Sequence, residues 1–303
     1  MPRLTIQLCT YKRAALLERV LEALFDQTVP DDALEVVLVN DGSPDHTNEV
    51  IERVRPLARC AFTVIVQANA GLAKGRNAGI ARATGERICF IDDDVLPTPV
   101  FAAEHLASDA KHGDVIVRGA VINTASFDDL PMPIWTPANY SGNYFWTSNV
   151  SLRRARLDRV GGRFDESFTE YGWEDIELGM RLRAIGTRAV FNRFAVAFHH
   201  KPAPAPASVD SILRQVRSQA RTAVQLRAKH PHWRVDLAIG ATRPQRALGD
   251  AVHRSGIARA IEPLLRTGGA GGGALTLPQR LATQVLATDA YYDELARAER
   301  PAS

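Results

Sequence analysis

Cysteine is scarce in this chain. Cys9, Cys60 and Cys89 are the only three among 303 residues, and each lies in or beside an apolar, strand-like run. Their spacing matches no metal-ligand pattern and an odd number cannot all pair, so they read as reduced core thiols. Charge of one sign is not in excess either. A formal net charge of +3 gives no case for nucleic acid as the main partner. No apolar run approaches the roughly 20 residues that span a bilayer, and no signal pattern precedes the strand-like start at Leu4. Together these absences predict a cytoplasmic protein, with room for contact at the inner face of a membrane. The chain also lacks the dinucleotide GxGxxG and the P-loop GxxxxGK[ST], and it has no internal repeat.

Apolar residues, by contrast, make up 46% of the sequence, enough for a sizeable core. The length suits one large α/β domain with an appendage, or two modest domains. Strand and helix signals alternate through the first half. LTIQL (4–8), EVVLV (35–39), FTVIV (62–66) and RICFI (87–91) read as strands. Ala14–Asp26, Thr47–Arg55 and Lys74–Ala83 read as the helices between them. Such βα units predict a mostly parallel central sheet flanked by helices. Ligands of that architecture bind beyond the carboxyl ends of the strands. The polar clusters at 10–13, 41–43, 69–77 and 92–94 all follow predicted strands, so they converge on one rim.

Beyond Asp114 the pattern changes. DVIVRGAVI (114–122) is strand-like, a stretch rich in Pro, Trp and Tyr follows, and 164–171 reads as a loop. Trp173–Ala184 is a predicted helix with Ile176, Met180 and Ala184 on its buried face. RAVFNRFAVAFHH (188–200) supplies one or two strands, and KPAPAPA (201–207) an extended connector. An Arg-rich amphipathic helix over 208–230, carrying Arg214, Arg217, Arg221 and Arg227, favours a solvated or packing role. GGAGGG (268–273) is a break before a last helical segment to about Arg300. The expected organisation is a main domain over 1–207, in two halves, 1–114 and 115–207. A mainly helical extension then covers 208–303.

The chemistry concentrates in FIDDDVLP (90–97), where a buried strand breaks into a loop carrying Asp92, Asp93 and Asp94. Three adjacent carboxylates repel one another and are costly to desolvate without a counter-charge. A hard divalent cation supplies one, and with it a grip on nucleotide phosphates. An acidic turn that merely ends a strand is the competing reading. Glu174 and Asp175 open a helix at its positive end, where carboxylates stay ionised, and a general base is one role for them. His199 and His200 end a strand, so only one imidazole faces the rim. In NAGLAKGRNAG (69–79) Lys74 and Arg76 are placed to meet phosphate oxygens.

As an ordered set, these segments resemble the inverting GT-A glycosyltransferases of family 2. The matching pieces are TYKR (10–13), VNDGS (39–43), NAGLAKGRNAGI (69–80), IDDDV (91–95), SNVSLRR (148–154), GGRFDESF (161–168) and GWEDIELGMRL (172–182). They cover about residues 4–200. The resemblance implies a Rossmann-like GT-A fold and a metal-dependent transfer from a nucleoside-diphosphate sugar, UDP being the family's commonest nucleotide. It implies that Thr10, Tyr11, Arg13, Asp41, Arg76, Asn77, Asp92 and Asp93 hold the donor. Asp94, Asp92 and His199, with His200 as the fallback, would bind Mn²⁺ or Mg²⁺. Asp175 would be the catalytic base with Glu174 beside it, and Asn149, Trp146 and Trp173 would meet the acceptor. Trp135 and Tyr140 are further flat surfaces for a sugar ring, with core packing an equal alternative. The acceptor hydroxyl would belong to a glycan, a lipid-linked sugar or a small metabolite. Peripheral membrane contact and homo-oligomer formation both stay open. A retaining transferase, a nucleotidyltransferase and a non-catalytic binding or assembly protein are the competing functions.

Overall fold

The computed structural model describes residues 3–205, 208–267 and 275–300. The GGAGGG break lies outside them, as does the end of the Pro-rich connector. Two compact units are present, Met1–Thr169 with Glu174–Pro202, and Glu170–Trp173 with Ala203–Ser303.

The first unit begins with β1 (Leu4–Thr10), α1 (Ala14–Phe25), β2 (Leu34–Asn40), α2 (Thr47–Val54), β3 (Ala61–Val66), α3 (Leu72–Arg82) and β4 (Arg87–Phe90). All seven residues of β2 are buried, as a strand covered on both faces requires. It continues with β5 (Val95–Pro97), α4 (Phe101–His112), β6 (Ile116–Thr124), β7 (Val150–Arg153), α5 (Arg154–Asp158), α6 (Glu174–Ala184) and β8 (Ala189–His200). The eight strands form one sheet in the order β3-β2-β1-β4-β7-β6-β8-β5. Six of them run in one direction, while β7 and β5 oppose their neighbours. This is the α/β GT-A-like arrangement, a mostly parallel sheet flanked by helices.

The chain leaves β1 in one direction to build β2 and β3, and returns on its other side to build β4. The crevice between the loops after β1 and β4 is therefore a topological switch point, where such sheets bind ligands. Close packing brings α3 onto β1. A Cβ on Gly79 would stand 2.6 Å from the Gln7 side chain, so no larger residue fits there without displacement.

One strand, not two, covers 189–200, and it is bulged. Gly119 pairs with Asn192, but Ala120 pairs with Val196, so residues 193–195 bow out of the ladder. Asn149 staples the bulge, donating to the carbonyls of Ala120 (3.0 Å) and Ala195 (2.9 Å).

The burial of α6 departs from the expected face. Leu178, Gly179 and Leu182 are buried with Glu174 and Glu177, whereas Ile176 and Met180 are half-buried and Ala184 is exposed. Paired charge explains the rotation. Arg76 meets Glu174 at 2.6 Å and Arg181 meets Glu177 at 2.8 Å, which lets two glutamates face inward. Gly179 sits where a Cβ would be 2.8 Å from the Phe145 side chain.

The second unit contains α7 (Val209–Lys229), α8 (Trp233–Ala238), α9 (Arg243–Ser255), α10 (Ile257–Thr267) and α11 (Leu277–Ala298). Val209 and Leu213 of α7 pack with Ala258, Leu265, Leu286 and Ala290. Two of the four arginines noted on α7 are paired within this unit. Arg221 meets Glu170 (2.5 Å) and Glu294 (2.8 Å), and Arg227 meets Asp236 (2.8 Å) and Glu299 (3.2 Å). No described helix is long and apolar enough to cross a membrane.

Candidate active site

Three adjacent aspartates after β4 meet three different environments. Asp92 accepts from Ser148 Oγ at 2.5 Å and from Arg76 Nη2 at 3.2 Å. Asp93 turns inward, and burial pushes its carboxyl up to about 7 against the lowering pull of Arg13. Asp94 lies 2.9 Å from Arg13 Nη1 and 3.7 Å from His199 Nε2. Burial opposes its ionisation, but His199 and Arg13 outweigh that and hold its carboxyl below the usual range. A turn, closed by the Val95 amide on the Asp92 carbonyl at 3.2 Å, spreads the three carboxylates in different directions.

Strand alternation separates the histidines, which are successive residues of β8. His199 pairs in register with Val95, the residue after Asp94, and its Nδ1 is buried with no partner among the described residues. The His200 ring lies 5.5 Å from Phe127, edge to face.

At the start of α6, Arg76 gathers the remaining charges. Its guanidinium is 4% exposed and donates to Glu174 Oε1 (2.6 Å), Thr147 Oγ1 (2.6 Å) and Asp92, with the Phe164 ring 5.3 Å beneath it. Burial works against the charge on Arg76, but Glu174 and Asp92 overcome it and raise its pKa. Asp175 is half-buried, and its Oδ1 accepts the Ile176 amide at 2.7 Å. Burial first, then the like charge of Glu174, raises its carboxyl above the ordinary aspartate range, against the pull of Arg76. Two non-glycine residues among those described have positive φ, Lys12 (58°) and Trp173 (72°). Both sit in loops that carry site residues, where such backbone strain tends to collect.

The structure thus joins Asp92, Arg76 and Glu174, with Asp175 adjacent, and separately joins Arg13, Asp94 and His199. Tyr11 is 41% exposed, with Lys12 Nζ 5.0 Å from its ring centroid, and Thr10 is buried at the end of β1. Other expected site residues are spent on the protein itself. Asp41 accepts from Gln67, from the Asn69 side chain and from the amides of Ala70 and Gly71, at 2.7 to 3.3 Å. It orders the loop that leads into α3. Asn77 donates to the Phe164 carbonyl (3.0 Å) and Glu166 (2.9 Å) and accepts the Phe164 amide (2.8 Å). Asn149, expected to face the acceptor, is buried with its amide committed to β6, β8 and His105 Nε2 (2.9 Å). Trp146 is half-buried, and Trp173 donates its indole N–H to the Gln219 carbonyl at 2.8 Å.

Thr147 and Ser148 are the site residues that sequence reasoning missed. Ser148 opens the segment SNVSLRR already singled out and Thr147 lies just before it, but their reach to Arg76 and Asp92 depends on β7 entering beside β4.

No group of three or more His, Cys, Asp or Glu side chains suited to a metal occurs among the described residues. Asp94 and His199 bring one carboxylate oxygen and the imidazole Nε2 within 3.7 Å of each other. One oxygen and one nitrogen suit a borderline divalent cation that takes its other ligands from elsewhere, and do not make a closed all-protein cage.

A mostly parallel α/β sheet of this strand order, flanked by helices, is the GT-A-like fold. The family model "Glycosyl transferase family 2" matches residues 5–159, and the chain belongs to that family. Among similar proteins, validoxylamine A glucosyltransferase of Streptomyces hygroscopicus subsp. jinggangensis is 32% identical over 228 residues, covering 63% of this chain and 54% of its own. A probable glycosyltransferase of Bacillus subtilis, YdaM, is 24% identical, covering 67% and 51%. The chain therefore spans about half the length of these relatives. Among solved structures, the mannosyltransferase PcManGT of Pyrobaculum calidifontis, in complex with GDP-Man and Mn²⁺, superposes with a TM-score of 0.61 at 22% identity. That match covers 98% of this chain and 86% of the other. S. aureus TarS 1-349 in complex with UDP-GlcNAc gives 0.55 at 18% identity, covering 98% and 91%. These likenesses carry the fold.

Proposed function

We propose that the chain is an inverting glycosyltransferase that moves a sugar from a nucleoside-diphosphate sugar to an acceptor hydroxyl. The observation that carries this is the single buried guanidinium of Arg76, which links Asp92 of the acidic loop to Glu174 beside Asp175. One side chain thereby bridges a carboxylate of the acidic loop and one at the start of α6. In a related fold the mannosyltransferase carries GDP-Man and Mn²⁺, and the Streptomyces relative is a glucosyltransferase. A UDP- or GDP-linked hexose is the donor class proposed here, and a sugar-like polyol the acceptor.

Each chain group has a physical part. Tyr11 offers an exposed ring on which a base can stack. Arg13 guards the charge of Asp94 until donor phosphates arrive, and its guanidinium then turns to a phosphate oxygen. Asp94 and His199 would hold the cation, which when bound neutralises the departing diphosphate. Asp175, its carboxyl raised toward neutral pH, takes the proton of the acceptor hydroxyl as that oxygen attacks the anomeric carbon. The bond from anomeric carbon to diphosphate oxygen breaks on the opposite face, so one displacement inverts the centre. Arg76 keeps Glu174 and Asp92 paired, so that Asp175 is left as the carboxylate able to accept a proton.

The test is a panel of nucleotide sugars with Mn²⁺ and polyol acceptors, read by nucleoside-diphosphate release and product anomeric configuration. Asp175→Asn should bind donor normally and lose transfer by roughly 10²–10⁴-fold. Full transfer by that variant, or retention of configuration, would remove the assignment.

A further inference from the structure

The four residues that lead into Glu174 and Asp175 belong to the helical unit. Glu170–Trp173 group with Ala203–Ser303, whereas Glu174 and the rest of α6 group with the sheet. The chain therefore crosses from one unit to the other at the Trp173–Glu174 peptide bond, just ahead of Asp175.

The backbone at this crossing is strained. Gly172 has φ 107° and Trp173 has φ 72°. The residue before a helix is ordinarily Ser, Thr, Asp or Asn in extended backbone, whose side chain caps the first amides. Trp173 stands there instead, and positive φ is a genuine outlier for so bulky a residue. Its own preferences oppose the conformation, so surrounding structure has to impose it.

Helix α7 supplies that restraint. The Trp173 indole N–H donates to the Gln219 carbonyl at 2.8 Å. The Ser218 and Thr222 hydroxyls lie 3.3 and 3.2 Å from the Tyr171 carbonyl oxygen. Arg221 Nε reaches both carboxylate oxygens of Glu170 at 3.0 Å, and its Nη1 reaches Glu294 of α11 at 2.8 Å. A Cβ on Gly172 would stand 2.8 Å from Gln219 Cγ, so the loop lies directly on the helix. The α7 partners all fall between Ser218 and Thr222, about one turn. Were Trp173 to relax to negative φ, the chain would swing where it enters α6, and Asp175 would move with it.

We propose that this turn of α7 is a positioning element for the transfer reaction, holding Glu170–Trp173 in the strained conformation that aims Asp175. Arg221 is its positioning side chain and acts through Glu170. The part given to Asp175 rests on the glycosyltransferase reading.

The full chain is compared with Arg221→Gln, Trp173→Phe and Arg221→Lys. Arg227→Gln is the control, on the same helix but paired with Asp236 and Glu299 instead. The readouts are kcat at saturating donor and Mn²⁺, calorimetric binding of UDP and GDP with Mn²⁺, and amide hydrogen exchange over 174–178. Arg221→Gln and Trp173→Phe should lower kcat about tenfold or more, the scale of a small misplacement of a reacting group. Both should leave nucleotide binding unchanged and speed exchange at 174–178. Arg221→Lys should recover part of the loss, because it keeps a charge opposite Glu170. Arg227→Gln should lower the melting temperature and alter neither kcat nor that exchange. The Arg221 and Glu170 side chains are 41% and 43% exposed, so Arg221→Gln keeps its fold. Parent-like kcat or parent-like exchange in Arg221→Gln, or equal effects in Arg227→Gln, overturns the positioning role. Faster exchange in Arg221→Gln alongside full transfer by Asp175→Asn would strike the base assignment and leave the restraint by α7 standing.

Discussion

Arg76 and Glu174, 98 positions apart, meet at 2.6 Å with side chains only 5% and 9% exposed. The pair locks the start of α6 to α3, and so sets where Asp175 stands relative to the acidic loop. Buried pairs of this kind add little net stability, but losing one partner leaves an uncompensated charge.

Removing the guanidinium should therefore be severe. Arg76→Met is expected to cost about 3–5 kcal/mol by chemical denaturation. Adding Glu174→Gln should recover part of it, because the stranded carboxylate is gone. A double variant whose loss equals the sum of the two single losses would show that the two residues are uncoupled.

The histidine pair separates by function. His199→Gln should raise the Mn²⁺ needed for half-maximal donor turnover by at least about tenfold. His200→Gln, next to Phe127, should leave that requirement unchanged and lower the melting temperature slightly. Equal metal requirements in the two variants would reassign the ligand.

Asp93 makes stability fall with rising pH. Its folded pKa is raised from 3.8 to about 7 by burial, so the folded state holds more protons than the unfolded state between those values. This contribution is fully favourable below the unfolded value and is lost as pH climbs through about 7. In chelator, the parent should lose stability between pH 5 and 8 relative to Asp93→Asn, by on the order of 4 kcal/mol at most. Parallel pH profiles for the two proteins would contradict the assignment.

Gly119 should tolerate no side chain. A Cβ there would lie 2.3 Å from the Asn149 amide atoms and 2.4 Å from the Ala195 carbonyl oxygen. Gly119→Ala is expected to cost about 1–3 kcal/mol, and unfolding measurements showing no loss would mean that the bulge relaxes freely.

Local pattern in the chain determined the alternating elements, because period-two and period-3.6 burial is written in neighbouring residues. LTIQL, EVVLV and RICFI became β1, β2 and β4, and the acidic triplet followed a strand, as read. The helix over 101–112 and the short strand at 95–97 carried weaker signals and were missed. Tertiary structure decided which face of α6 is buried, since Glu174 turns inward where Arg76 of α3 meets it, 98 positions away. It alone turned Asp41, Asn77 and Asn149 toward protein partners and brought Thr147 and Ser148 to Arg76 and Asp92. The physical reason is that a side chain's polar partners come from strands adjacent in the sheet but distant in the chain, and no local periodicity encodes that adjacency.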